Sequence, residues 1–119
     1  MSYIFEVDDE WVWSPAHRVG ELYVGMVEAA AAVLKSPTGL TTDSGDLYEI
    51  DVPVFGALAA GMLALRASTG HIYLAMMLDG ILPVSVAMLY RAGGTLAPAT
   101  SAECDLLAAI RAMDLPMAG

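Results

Sequence analysis

The chain opens on an alternation. Tyr3, Phe5 and Val7 share one face of residues 2–7, a period of two that predicts a strand. Asp8-Asp9-Glu10 reads as a polar turn, and Trp11-Val12-Trp13 predicts a short returning strand. The period then changes at Ser14-Pro15. Serine can cap the free backbone N–H groups of a helix end, and proline loses nothing at the first helical position. Val19, Leu22, Tyr23, Met26, Ala30, Val33 and Leu34 recur at helical spacing, with His17, Arg18, Glu21, Glu28 and Lys35 off that stripe. A helix is predicted over 15–35, ended by Ser36-Pro37.

Residues 36–46 are rich in turn formers and predict a loop. Leu47-Tyr48-Glu49-Ile50 alternates again and predicts a third strand. Asp51 can cap the next helix, with Pro53 in its first turn. Residues 54–67 carry one charge, Arg66, so that helix is apolar nearly all round and buried on several sides. Ser68-Thr69-Gly70 breaks it. Residues 72–91 predict a helix with a kink or break between Gly80 and Pro83. A buried strand over 71–78 is the alternative, because periodicity does not separate the two. Gly93-Gly94 ends the segment and 95–99 form a linker. Thr100 and Glu103 have the spacing of a capping box, Leu106, Leu107, Ile110 and Met113 form one stripe, and Pro116 marks the stop. The assembled expectation is one domain over 1–119. Its class is mainly α, a compact bundle of about four or five helices with a small N-terminal β-hairpin or short sheet, an α+β arrangement being the alternative.

Composition changes this picture in one respect. Hydrophobic residues make up 57% of the chain, against a usual apolar share of about 45–50%. Charged residues make up 16%, against about 25%. A monomer of this size has too few polar groups to cover itself, so a partner or a membrane must take the excess. Residues 72–90 approach the roughly 20 apolar residues of a membrane span. Asp79 near their middle costs about 2.5–3.5 kcal/mol on insertion scales, and Gly80 and Pro83 add to the case for a buried segment outside the membrane. Homodimerisation is the expected solution. Five Lys and Arg face fourteen Asp and Glu, for a net charge of −9. That balance excludes nucleic acid as a partner and admits a basic protein. A single cysteine, Cys104, and no basic-then-apolar start point to the cytoplasm.

The candidate chemistry is sparse. His17 and Glu21, four apart on the first helix, can meet, and a carboxylate beside an imidazole suits a general base. The plainer reading is a solvated polar face. His71 opens an apolar segment and is either a base or ligand contact or a cap. Asp79 lies inside an apolar run and must pair, cap or neutralise. It either caps a second helix after a break at Gly80 or is a buried acid, with Tyr73, Tyr90, Arg66 and Arg91 as partners. Trp13, Tyr23, Tyr73, Met76 and Tyr90 are candidates to line an apolar pocket for a small metabolite. Asp43, Asp46, Glu49 and Asp51 form an acidic stretch without the calcium-loop pattern. One cysteine and two distant histidines do not make a metal cage. No cofactor is implied. Cys104 sits in the first turn of its helix, where the dipole can lower its pKa, although a buried, inert thiol is the commoner outcome.

Trp13-Ser14-Pro15, Ile50-Asp51-Val52-Pro53-Val54-Phe55, the stretch from Arg66 to His71 and Tyr90-Arg91-Ala92-Gly93 resemble a family of small acidic actinobacterial proteins of unassigned function. The resemblance covers about residues 3 to 94. It implies a bacterial cytosolic protein and adds no catalytic residue. Three readings stand at this point. The first is a homodimeric interaction module whose apolar helices associate and whose charged face meets a partner. The second is a cofactor-free enzyme or binding protein with an apolar pocket. The third is an immunity- or antitoxin-like protein that neutralises a basic partner.

Overall fold

The computed structural model describes residues 2–117. Along the chain run β1 (Ile4–Val7), β2 (Glu10–Trp13), α1 (His17–Leu34), β3 (Leu40–Thr41), β4 (Leu47–Ile50), α2 (Val52–Ser68), α3 (Ile72–Arg91) and α4 (Ser101–Ala112). The strands form one mixed sheet of order β2-β1-β4-β3. β1 pairs antiparallel with β2 and parallel with β4, and β3 pairs antiparallel with β4. The fold is therefore α+β, four helices against a four-stranded sheet, and not a bundle of helices with a hairpin appended. The loop predicted over 36–46 yields β3, a strand two residues long.

The β1–β2 hairpin turns through Asp8 and Asp9, both in the left-handed region (φ 51° and 66°). Two such residues match the right-handed twist of the strands they join. The inner face of the sheet is aromatic. Phe5 stacks on Trp13 and on Tyr48, each at 5.5 Å between centroids, and Tyr23 of α1 meets Phe5 and Trp13 edge-on. Offset stacks and edge contacts of this kind suit the charge distribution of aromatic rings. They fix α1 on the sheet.

α1 starts later than Ser14 suggests. The chain stays extended through Pro15, whose carbonyl accepts from Tyr3 N at 3.1 Å, and Ala16 bridges to Ser2. Ala16 occupies the N-cap and supplies no side-chain bond. Pairing with the sheet thus outcompetes capping by Ser14. Tyr3 also lies directly on Gly20, where any Cβ would overlap its ring carbons.

Asp51 caps α2 as expected, accepting from Val54 N at 3.1 Å. α3 is one helix through Gly80 and Pro83, neither a strand over 71–78 nor a broken pair. Pro83 removes one backbone donor. The helix continues because Leu78, Ile81, Leu82, Ser85, Val86 and Leu89 bury one continuous face. Phe55, Leu58 and Met62 of α2 are fully buried in the same core. α4 begins at the predicted cap: Thr100 Oγ1 accepts from Glu103 N at 3.1 Å, while the Glu103 carboxylate accepts from Ala99 N at 3.4 Å and from Thr100 Oγ1 at 3.2 Å in place of the Thr100 N–H of a full capping box. The Arg111 guanidinium stacks 3.7 Å over the ring of Tyr90, and the Tyr90 hydroxyl accepts from Leu96 N.

Candidate functional site

α1 has two apolar arcs. Gly20, Tyr23, Val24, Val27 and Ala31 face the core. Val19, Leu22, Met26, Ala29 and Val33, spaced three and four apart, form a second seam on the adjoining side. A helix that packs on one side needs only one stripe. The N-terminal half of α3 lies next to that seam, with Met26 Cε 3.5 Å from the position a Gly80 Cβ would take. Ile72, Tyr73, Met76 and Met77 continue the apolar surface. Leu22, Val33 and those four residues are between 63% and 69% exposed. Side chains of this size in the core are almost fully covered.

Between α1 and α3 the surface dips into a groove of about 340 Å³. Met26, Ala29, Ala30, Val33 and Leu34 form one wall, and Leu74, Met77, Leu78 and Ile81 the other, with Leu65 of α2 closing one side. Every one of these side chains is apolar. The groove excludes charge and provides no polar group to orient a ligand.

The β layer has the reverse character. Residues 2–14 and 36–51, the sheet and its connections, hold Glu6, Asp8, Asp9, Glu10, Asp43, Asp46, Glu49 and Asp51 and no Lys or Arg. Glu6 is in register with Trp11 on one neighbour and Glu49 on the other. Trp11 projects from this acidic face, 63% exposed. Eight of the chain's fourteen acids therefore lie in the β layer, while α1 and α3 carry Glu21, Glu28 and Asp79, all exposed.

The residues singled out from the sequence fall into separate places. His17 and Glu21 do approach, Nε2 to Oε2 at 3.7 Å, on an exposed face, with the ring of Tyr3 edge-on to the imidazole. His71 is the N-cap of α3, its Nδ1 accepting from Leu74 N at 3.4 Å. Asp79 neither caps nor hides. It takes Arg66 Nε at 2.7 Å and Nη2 at 3.3 Å, with about half of its side chain exposed. Trp13 and Tyr23 are core residues. The Tyr23 hydroxyl meets Ser85 Oγ at 2.7 Å, and burial pushes its pKa well above that of a free phenol. Tyr73 and Met76 lie on the open apolar face, and Tyr90 is half-buried beneath Arg111. None of the nine lines the groove. Cys104 is exposed on α4, not buried. Among the described residues no three His, Cys, Asp or Glu gather as a metal site would require.

A family model matches residues 1–119: DUF6086, a family of unknown function. The chain belongs to DUF6086. The match takes in the Cys104 helix, which lies beyond the resemblance at residues 3 to 94. Neither the curated proteins nor the solved structures contain a match to this DUF6086 chain.

Sequence reasoning missed the face that the fold leaves open. Its signal lies in the spacing of Val19, Leu22, Met26 and Val33, which hydropathy alone does not separate from the core stripe, and Ala29 carries no signal of its own. Ser85, the partner of Tyr23, was also missed, since a serine inside an apolar run carries no pattern of its own.

Proposed function

We propose that this protein is a small acidic homodimeric interaction module. The α1–α3 face joins two copies and the acidic sheets are left outward to meet a basic partner. The observation that carries the reading is the apolar surface formed by Val19, Leu22 and Val33 of α1 with Ile72, Tyr73, Met76 and Met77 of α3, edged by Arg18 and by the Arg66–Asp79 pair. Its seven most exposed apolar side chains leave on the order of 800 Å² open to water, about the per-partner area of a standard protein interface. Patches of that size on soluble proteins mark interaction sites. The absence of charge from the seven side chains themselves matters too, because two copies at −9 each repel wherever their acids meet.

Sedimentation velocity from 1 to about 100 µM tests the reading, since affinities of weak dimers fall in this range. The expected mass is twice the 12.5 kDa of one chain. Leu22→Glu and Met77→Glu are expected to return the monomer with the helical circular dichroism intact. A wild-type monomer across the whole range overturns the proposal.

The groove supports a second reading, a binding protein for a small apolar molecule. About 340 Å³ lies at the lower end of ligand-site volumes, roughly 300–1,000 Å³. Such sites also carry a few polar groups that fix orientation, which this lining does not supply, so the dimer is preferred. Saturable binding of an apolar fluorescent probe to a monomeric wild type favours the second reading.

A further inference from the structure

The occupant of the α1–α3 face is a second copy of this chain, and we infer that the two-fold axis relating the copies passes beside Gly25 and Ala29, where α1 crosses its own counterpart. This deepens the homodimer reading and rests on it. The area of the face matches what a stable dimer needs, as set out above. The longest uninterrupted part of that face is the seam of α1, five side chains at helical spacing with none charged.

Gly25 locates the crossing. Five glycines lie inside helices, at 20, 25, 56, 61 and 80. A Cβ at Gly20 would overlap Tyr3, and one at Gly56, Gly61 or Gly80 would touch Leu89, Leu34 or Met26. At Gly25 it would meet nothing within 4 Å. Four of these glycines thus sit against their own chain, and Gly25 does not. Glycine in a helix interior is unfavourable relative to alanine, so an unused one argues for close approach from outside. The distance between packed helices is set by the side chains at their contact. Ala29, one turn on, is exposed and also small. Leu22 and Val33 flank the pair as the larger contacts. Glu21 and Glu28 lie on one side of Gly25 and Arg18 lies one turn before Leu22, all three exposed, so a crossing at Gly25 leaves these charges on the rim, where water still reaches them.

In a two-fold interface, residues at the axis meet their own equivalents. That makes the inference testable by self-crosslinking. Gly25→Cys and Ala29→Cys are made separately in a Cys104→Ser background and oxidised. A disulfide forms where Cα atoms come within about 4.4–6.8 Å, so at least one variant is expected to run as a covalent dimer. Wild type, with Cys104 exposed on α4, is the control and is expected to remain uncrosslinked. Gly25→Leu is expected to raise the dimer Kd at least tenfold with the circular dichroism unchanged. A wild-type dimer in which neither cysteine crosslinks, or whose Kd Gly25→Leu leaves unaltered, overturns the crossing point and leaves the dimer reading standing. A wild-type monomer overturns both.

Discussion

The Tyr23 hydroxyl donates to Ser85 Oγ across 62 residues of chain, at 2.7 Å, inside the core. The direction follows from Ser85, whose single proton goes to the Ile81 carbonyl at 3.0 Å. The serine thus bonds back to its own helix and accepts from the tyrosine, and all three groups are satisfied. This small network ties α1 to α3 beneath the open apolar face. Removing one partner strands the other. Ser85→Ala is expected to lower stability by about 1–3 kcal/mol, because the buried phenol then has no acceptor. Adding Tyr23→Phe to Ser85→Ala is expected to recover part of that loss, because no polar group is then orphaned. Urea unfolding of the two single variants and the double variant gives the coupling. A double variant that loses the full sum of the singles counts against the network.

The same phenol makes a prediction about alkali. Burial raises the Tyr23 pKa above its ordinary value of 10.0, with the Ser85 bond a smaller, opposing influence. The unfolded chain therefore releases this proton at lower pH than the folded one. Below about pH 10 neither state has lost it and the full stability is present. As pH rises past 10, toward and through the higher folded value, stability falls by up to about 1.4 kcal/mol per unit from this group. Tyr23→Phe lacks the group and is expected to lose less between pH 9 and about 11, the interval that straddles the free phenol. Equilibrium unfolding of both proteins over that interval checks it. Parallel curves would contradict the buried titration.

Local patterns in the chain were enough for the elements whose partners are near. β1, β2, the capped start of α2, and the Thr100–Glu103 cap follow from alternation and capping residues alone. β3 does not, since a two-residue strand has no period and exists only because β4 lies beside it. Ser14 misleads for a similar reason: its cap signal is local, while the pairing of Ser2 and Tyr3 with Ala16 and Pro15 is not. The His17–Glu21 approach and the cap at His71 were legible, and Arg66 stood among the partners expected for Asp79. The division of α1 into a covered arc and an open one was not. Tyr23 and Leu22 are neighbours of similar hydropathic role, and only the position of the sheet decides that Tyr23 is sealed and Leu22 is in water.

Arg66 and Asp79 are joined in two bonds but remain partly in water. Exposed pairs of this kind contribute little and are screened by salt. Asp79→Asn is expected to lower the thermal midpoint only slightly at low ionic strength, with the difference from wild type vanishing near 1 M NaCl, where the Debye length is about 3 Å. Dimer affinity is expected to change little, because Asp79 is paired with Arg66 at the edge of the apolar face and adds no apolar contact to it. Thermal unfolding at both salt concentrations, with sedimentation alongside, makes the comparison. A large, salt-independent loss would mean that Asp79 does more than pair with Arg66.

Gly20 and Gly25 sit on one helix yet should respond to the same substitution with opposite signs. Alanine is the better helix former by about 1 kcal/mol, and that preference acts at both sites. At Gly25 nothing of the chain's own stands within reach of a Cβ. Gly25→Ala is therefore expected to stabilise the subunit by about 0.5–1 kcal/mol. At Gly20 the new methyl must displace Tyr3 at Cβ and Cγ, close to its backbone and part of the ring layer with His17 and Tyr48. Overpacking of this kind typically costs about 1–3 kcal/mol, more than the gain in helix propensity, so Gly20→Ala is expected to destabilise. The measurement belongs in a Leu22→Glu background, where association no longer adds to subunit stability. Urea unfolding there isolates the two effects. Loss of stability at Gly25 in that monomeric background would mean that its openness is not what the packing implies, and the case for α1 crossing its counterpart at that glycine would weaken with it.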